Sequence, residues 1–239
     1  MKLYHLNKSR LKRIVGDLKM IKIENVDVYG FEAAIRGMRN PLNSWEKSDS
    51  YRISDYTGDC TYDVGKNDLD LMKKLVSAGT DHSKFMRMIT VTFDITAPMY
   101  WLKEAATYKV GTVRNSCSTM HTIHKKEFTL DDFSHEHLLT EKETECGDIC
   151  PIIILECMIS ALNNFRKKFL ETKDKKYWWQ IIQLLPSSYN QRSTVQLNYA
   201  VLRNIYHARK DHKLDEWRDF CKWIEELPCS ELITMEGLE

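Results

Sequence analysis

Two asparagines and an arginine, Asn198, Asn204 and Arg209, sit among aliphatic residues in the stretch LLPSSYNQRSTVQLNYAVLRNIYHARKDHKLDEW, which runs from Leu184 to Trp217. An amide side chain can bond ring nitrogens and carbonyls, and a guanidinium is a fixed planar fork suited to carbonyl and phosphate oxygens. Buried without partners, such groups cost several kcal/mol each, so something must satisfy them. Read as one helix from about Thr194 to Arg209, at about 100° per residue, the stretch brings Asn198 and Arg209 within about 20° of one another, three turns apart. Val201, Leu202 and Ile205 lie between them on that face, and Asn204 points elsewhere, flanked by Leu197, Ala200, Val201 and Ala208. Two readings stay open here: the polar groups satisfy loop carbonyls or a neighbouring carboxylate, or they face a ligand.

Other residues offer weaker chemistry. Cys146 and Cys150 form a CxxxC, and His121 and His124 lie one turn apart, but neither has the second closely spaced ligand pair usual for zinc, and no metal site is expected. Cys117, between two serines, could be a nucleophile, although inert cysteines are commoner. The Trp178-Trp179 pair reads as core or subunit contact, and the basic cluster from Arg166 to Lys176 as a solvated helix end.

The elements that must hold these residues follow from pattern. IKIENVDVY, residues 21–29, alternates as a strand, and FEAAIRGM, residues 31–38, has helical spacing stopped by Asn40-Pro41. Residues 43–65 are polar and turn-rich, so a surface loop is expected. Asn67 is placed to cap a helix whose apolar face is Leu69, Leu71, Met72, Leu75 and Val76, ending at Gly79. The β-branched run from Phe85 to Ile95 predicts a strand interior to a sheet. Pro98 opens a helix expected to reach Lys109, where Gly111 interrupts it; residues 113–121 read as irregular, and 125–150 as loop and short helix. After Pro151 the spacing is helical nearly to the end, with helices in IIILECMISALNNFRKKFLE, KKYWWQIIQLL, the 194–209 segment, and Leu214 to Glu226. The expected fold class is α+β, a small mostly antiparallel sheet packed with helices and a helical C-terminal half, in a single domain over residues 1–239.

Composition narrows the function classes. A net charge of +1 removes any whole-protein electrostatic case for nucleic-acid or anionic-membrane binding, leaving only local basic patches. No apolar run approaches the span of a bilayer, MKLYHLNKSRLKRI lacks the apolar core of a signal peptide, and seven scattered cysteines fit a reducing compartment. A cytoplasmic protein is expected.

The order and spacing of several motifs resemble the flavin-dependent thymidylate synthases. LPSSY, Asn198, Leu202, Asn204 and Arg209, then His212 and Glu216-Trp217, resemble that family's LP turn, its NxRSLxxFLxLR segment and its AQWE-type helix start. FEAAIRGM stands where the family has an AAR-type helix. AGTDHSKFMRMITVTFDI is similar to its GHxSxLEHxxxTF motif, with His82, Thr92 and Phe93 in register, and residues 98–120 occupy the place of RHRxxSxNxxSxRY. Several family cations are replaced. The RHR positions are Thr107, Tyr108 and Lys109, the family's glutamine is Glu104, an arginine becomes Ala200, another becomes Ile182, and Met120 stands for a third.

The resemblance implies a methyltransferase of the thymidylate synthase type. It would bind dUMP, a pyrimidine nucleotide, and FAD in a homotetramer, with NADPH reducing the flavin and methylenetetrahydrofolate supplying a one-carbon unit to uracil C5. It implies that Arg209 holds and polarises the uracil, that Glu104, Asn115 and Ser118 also bind the nucleotide, and that His82, Tyr108, Lys109, Asn198 and Asn204 lie on the flavin side. The alternatives are a non-catalytic nucleotide-binding or interaction protein on the same scaffold, and a different modification of a pyrimidine nucleotide.

Overall fold

The computed structural model describes residues 20–54, 60–145 and 148–236; Cys146 and the N-terminal segment discussed above lie outside them. In chain order come β1 (Lys22–Tyr29), α1 (Phe31–Arg39), β2 (Tyr51–Ser54), β3 (Cys60–Asp63), α2 (Lys66–Ser77), β4 (Thr90–Pro98), α3 (Met99–Ala105) and β5 (Val113–Ser116). They are followed by α4 (Thr119–Thr122), α5 (Pro151–Thr172), α6 (Lys175–Leu184), β6 (Asn190–Asn198), α7 (Tyr199–Arg209), α8 (Asp215–Glu225) and α9 (Glu231–Thr234). A four-stranded antiparallel sheet has the order β1-β4-β6-β5, and β2 and β3 form a separate antiparallel pair, Tyr51 facing Asp63. The fold class is α+β, as the patterns predict, and β4 is an interior strand.

The chain divides into two compact units, one made of residues 1–95, 106–115 and 194–239, the other of 96–105 and 116–193. In the first, β4 alternates strictly, with Val91, Phe93 and Ile95 buried. Phe93 packs against Trp223 and Phe220 of α8, at ring-centroid distances of 4.8 and 6.0 Å. Tyr199 of α7 is wholly buried and meets Phe31 of α1 edge-on at 5.7 Å. In the second unit, Ile123, Phe128, Phe133, Leu155, Leu162 and Ile181 form the core. There the Asn163 amide clamps the Phe128 backbone, accepting from its N–H at 2.9 Å and donating to its carbonyl at 2.8 Å.

Several expected boundaries move, each for a physical reason. Residues 194–198 are strand, not helix: Ser193, Val195 and Leu197 are buried while Arg192, Thr194 and Gln196 are exposed, a period of two that the helical reading missed. The Phe85–Met88 run forms a 3-10 turn (Ser83–Met88), so the strand starts at Thr90. The helix after Pro98 ends at Ala105 rather than near Lys109, and Val113–Ser116, expected to be irregular, is a strand. The expected loop over 43–65 contains β2 and β3. Asn67 lies inside α2 and caps nothing. Instead Asp49, distant in sequence, accepts from the Asn67 and Asp68 N–H groups at 2.9 and 3.1 Å.

One ion pair ties α1 to α2. Arg39 Nε donates to Asp68 Oδ1 at 2.6 Å, with the two side chains 4% and 0% exposed. Arg39 also donates to the Ser44 and Lys47 carbonyls, and Asp68 Oδ2 accepts from the hydroxyls of Ser48 and Ser50. Burial alone would raise the Asp68 carboxyl, but the hydrogen bonds from Ser50, Ser48 and Arg39 outweigh it and hold the group below its ordinary value. A carboxyl depressed in the folded state binds protons more readily when unfolded. Its stabilising contribution is therefore complete above the unfolded value, about 4, and is lost as pH falls through the folded one. Asp68→Asn strands the Arg39 charge and is expected to cost about 3 kcal/mol at neutral pH. Denaturant titration should show that loss, with the gap between variant and wild type narrowing below about pH 4.

Candidate functional site

Arg209 closes α7. Its Nε donates to the Tyr108 hydroxyl at 3.0 Å, although the two residues lie 101 positions apart. The guanidinium carbon stands 5.0 Å from the centroid of the Trp217 ring and 5.8 Å from that of Tyr108, within the range of cation–π attraction. Trp217 is itself fully buried and meets Tyr108, His212 and Phe220 edge-on at 6.0, 6.3 and 6.1 Å. The segment after α7 turns back under the arginine. His212 N–H donates to the Arg209 carbonyl at 3.0 Å, His212 Nδ1 accepts from the Leu214 N–H at 3.2 Å, and Arg218 donates to the His212 carbonyl at 2.6 Å. The half-buried guanidinium is thus held in place by an aromatic wall, a hydroxyl and a short turn.

Asn198 stands at the other end of α7, as its N-cap. Its side-chain oxygen accepts from the Val201 N–H at 3.0 Å, satisfying one of the helix's open donors. The shared helical face expected for Asn198 and Arg209 therefore does not exist, because Asn198 precedes the helix. The Tyr108 loop nevertheless comes back to it. Gly111 has φ +79°, and a Cβ there would lie 2.8 Å from Asn198 Nδ2 and 3.2 Å from a Val201 methyl. Only a glycine leaves the amide its place.

The remaining expected residues are less gathered. Asn204 is exposed on α7, so the apolar surround read for it is absent. His82 is exposed at the start of the 3-10 turn that packs against α7, and Lys109 and Asn115 are exposed. These four side chains, with Tyr108, Asn198 and Arg209, belong to the first unit. Glu104 and Ser118 belong to the second, and their expected roles rest on motif position alone. Ser118 caps α4, its hydroxyl accepting from the His121 N–H at 3.1 Å. It lines a cavity of about 480 Å³ with Cys117, Tyr189, Asn190 and Arg192.

Two contributors escaped the sequence reading. Trp217 enters the sequence reading only as a motif position, and Gly111 only as the end of the helix that opens at Pro98. The signal for Gly111 was its glycine in an otherwise substituted motif; nothing in the sequence pairs Tyr108 with Arg209. Burial, with Glu225 next, pushes the Cys221 thiol up to about 12, and burial raises Cys229 as well, which disfavours thiolate chemistry at these two residues. Among the described residues no group of three or more His, Cys, Asp or Glu could hold a metal ion, and no helix is long and apolar enough to cross a membrane.

No family model matches the sequence, and no curated protein matches it. Solved structures do. A crystal structure of the flavin-dependent thymidylate synthase ThyX from Helicobacter pylori, complexed with FAD and dUMP, is similar at a TM-score of 0.62 and 19% identity, over 89% of this chain and 97% of that one. A second crystal structure of ThyX from the same organism, also with FAD and dUMP, gives 0.63 and 18%, over 90% and 98%. At such identity the likeness is one of architecture: the chain has the fold of the flavin-dependent thymidylate synthases.

The donor set fits a flavin in kind. Asn198 spends its oxygen on the cap but keeps an amide donor, Nδ2, beside the one backbone position that leaves room for it, and Lys109 adds an exposed cation on the same loop. Removing the cap tests this geometry. Asn198→Ala is expected to lower stability by about 1 kcal/mol, whereas Asn198→Asp, which keeps the accepting oxygen, should lose less. Thermal unfolding of the two variants checks the order.

Proposed function

We propose that this chain is a divergent flavin-dependent thymidylate synthase-like protein, binding dUMP and FAD and transferring a one-carbon unit to uracil C5. The observation that carries this reading is the Arg209 guanidinium, held by Tyr108 and Trp217 at the end of α7 in a fold shared with proteins solved in complex with FAD and dUMP. A guanidinium fixed in one plane suits the carbonyl oxygens of a pyrimidine, and its charge-assisted bonds draw electron density from the ring. Asn115, exposed on β5 in the same unit, is a further nucleotide contact in this reading.

FAD supplies redox chemistry when bound, and NADPH and methylenetetrahydrofolate enter as co-substrates. Asn198 would hold the flavin through its Nδ2 donor, tuning the ring by hydrogen bonding, and Lys109 would meet a phosphate. With Thr107, Tyr108 and Lys109 at the motif's three cation positions, one formal cation remains there. That replacement favours a second reading, a nucleotide-binding protein on this scaffold without the transfer activity. Complementation of a thymidine-requiring strain separates the two: growth supports the enzyme, and no growth from a folded, dUMP-binding protein supports the second.

Calorimetric titration with dUMP tests what both readings share. The wild type should bind. Arg209→Ala should bind at least about tenfold more weakly, a change of about 1.4 kcal/mol, with its circular dichroism unaltered. Arg209→Lys should also be impaired, since an ammonium cannot reproduce the fork. A wild type that ignores dUMP, or an Arg209→Ala variant that binds it unchanged, overturns the proposal.

A further inference from the structure

One end of the second unit concentrates cations and aromatic rings that the proposed nucleotide site does not use. Residues 164–176, NFRKKFLETKDKK, span the end of α5 and the start of α6 and set six cations against two carboxylates, Glu171 and Asp174, in a chain whose net charge is only +1. The loop carrying His124 and Lys125 joins them. Arg166 donates to the Lys125 carbonyl at 3.4 Å, and the His124 ring meets Phe169 edge-on at 4.9 Å.

The cations there are poorly compensated. Lys176 pairs with Asp174 and Lys126 with Asp132, but among the described residues Lys125, Lys167 and Lys173 have no carboxylate at ion-pair distance. Arg166 Nε and His124 Nδ1 are buried without a hydrogen-bond partner. Burial first, and then the charges of Lys125, Lys173 and Arg166, push the His124 imidazole below its ordinary value, so three cations lie near enough to act on one ring. Such repulsion destabilises the free chain and is relieved by an anion.

The aromatic rings say which kind of anion. Lys175 lies 5.9 and 5.7 Å above the rings of Trp178 and Trp179, and Lys168 lies 5.8 Å above that of Tyr177. Trp179 is 43% exposed. A lysine that covers an indole on a flexible stem can swing to a phosphate and leave the ring face to a base. Stacking of this type needs an unpaired base, because a duplex keeps its base faces covered. A lipid surface would supply the phosphates but nothing to stack.

We propose that this end of the α5–α6 hairpin binds single-stranded nucleic acid, with Lys125, Lys167 and Lys173 on backbone phosphates and Trp179 stacked on a base. The site lies wholly within the second unit and does not depend on Arg209. Its specificity is for the single strand rather than for a sequence, since no base edge is read.

Fluorescence anisotropy of a labelled oligo(dT) of about 15 nucleotides with the full chain tests it. Binding should weaken with salt at a logarithmic slope of about −2, as three phosphate contacts require. Lys167→Glu should weaken it by about tenfold or more, and Trp179→Ala by about tenfold, with Trp179→Phe close to wild type. Circular dichroism should show all three variants folded, and Arg209→Ala should bind the oligonucleotide as wild type does. The proposal is overturned by no binding, by an unchanged affinity in Trp179→Ala, by equal affinity for a duplex of the same length, by tighter binding to phosphatidylserine vesicles, or by loss of binding in Arg209→Ala.

Discussion

The geometry around Arg209 depends on one junction, the point at which β6 becomes α7. Asn198 ends the strand and caps the helix, its oxygen accepting from the Val201 N–H. The next residue fixes direction. The Tyr199 N–H donates to the Ile89 carbonyl at 2.9 Å, its hydroxyl donates to the Pro228 carbonyl, and its ring is wholly buried against Phe31. Burial raises the Tyr199 hydroxyl well above its ordinary value, so it stays a neutral donor. With its origin and direction set, an eleven-residue helix delivers Arg209 about 15 Å away, beside Tyr108 and Trp217.

The loop carrying Tyr108 serves both ends of that helix. Tyr108 accepts from Arg209 at the C-terminal end, and three residues later Gly111 passes the Asn198 amide at a distance no side chain would allow. A positive φ at Gly111 makes any substitution strained as well as crowded. The loop therefore couples the position of the cap to that of the cation. The α9 turn and the residue after it reinforce this, because Arg203 of α7 donates to the carbonyls of Leu232, Ile233 and Met235. A cation so constrained loses little freedom on meeting a planar ligand, and that economy is what a recognition site needs.

How much of this could be read from the chain depends on the range of the interaction. Helices α1, α5 and α8 were legible because their apolar residues recur at helical spacing, β1 because apolar and polar residues alternate along it, and β4 because β-branched residues dominate it. The 194–198 segment was misread because Val195 and Leu197 fit either period over so few residues, and the helix that follows lent them its own. Asp49 capping α2 from afar, and the β2–β3 pair inside a polar run, left no local signal. Arg209 was singled out through its spacing from the LP turn and from Asn198, and the structure sets it at the end of α7. Its partners were not. Tyr108 reaches it across 101 residues, and a cation over an indole leaves no pattern in the sequence. The clustering of Lys125 with Arg166 and Lys173 was equally invisible, so a basic run read as a solvated helix end gained a second wall only in three dimensions.

The central claim is that a cap at Asn198 and a held cation at Arg209 mark a site for a flavin and a pyrimidine nucleotide together. The visible absorption spectrum of the protein, taken after incubation with FAD and removal of unbound flavin, tests it most directly. The account predicts a retained flavin band that shifts when dUMP is added. A protein that emerges colourless, or a flavin band indifferent to dUMP, would contradict it.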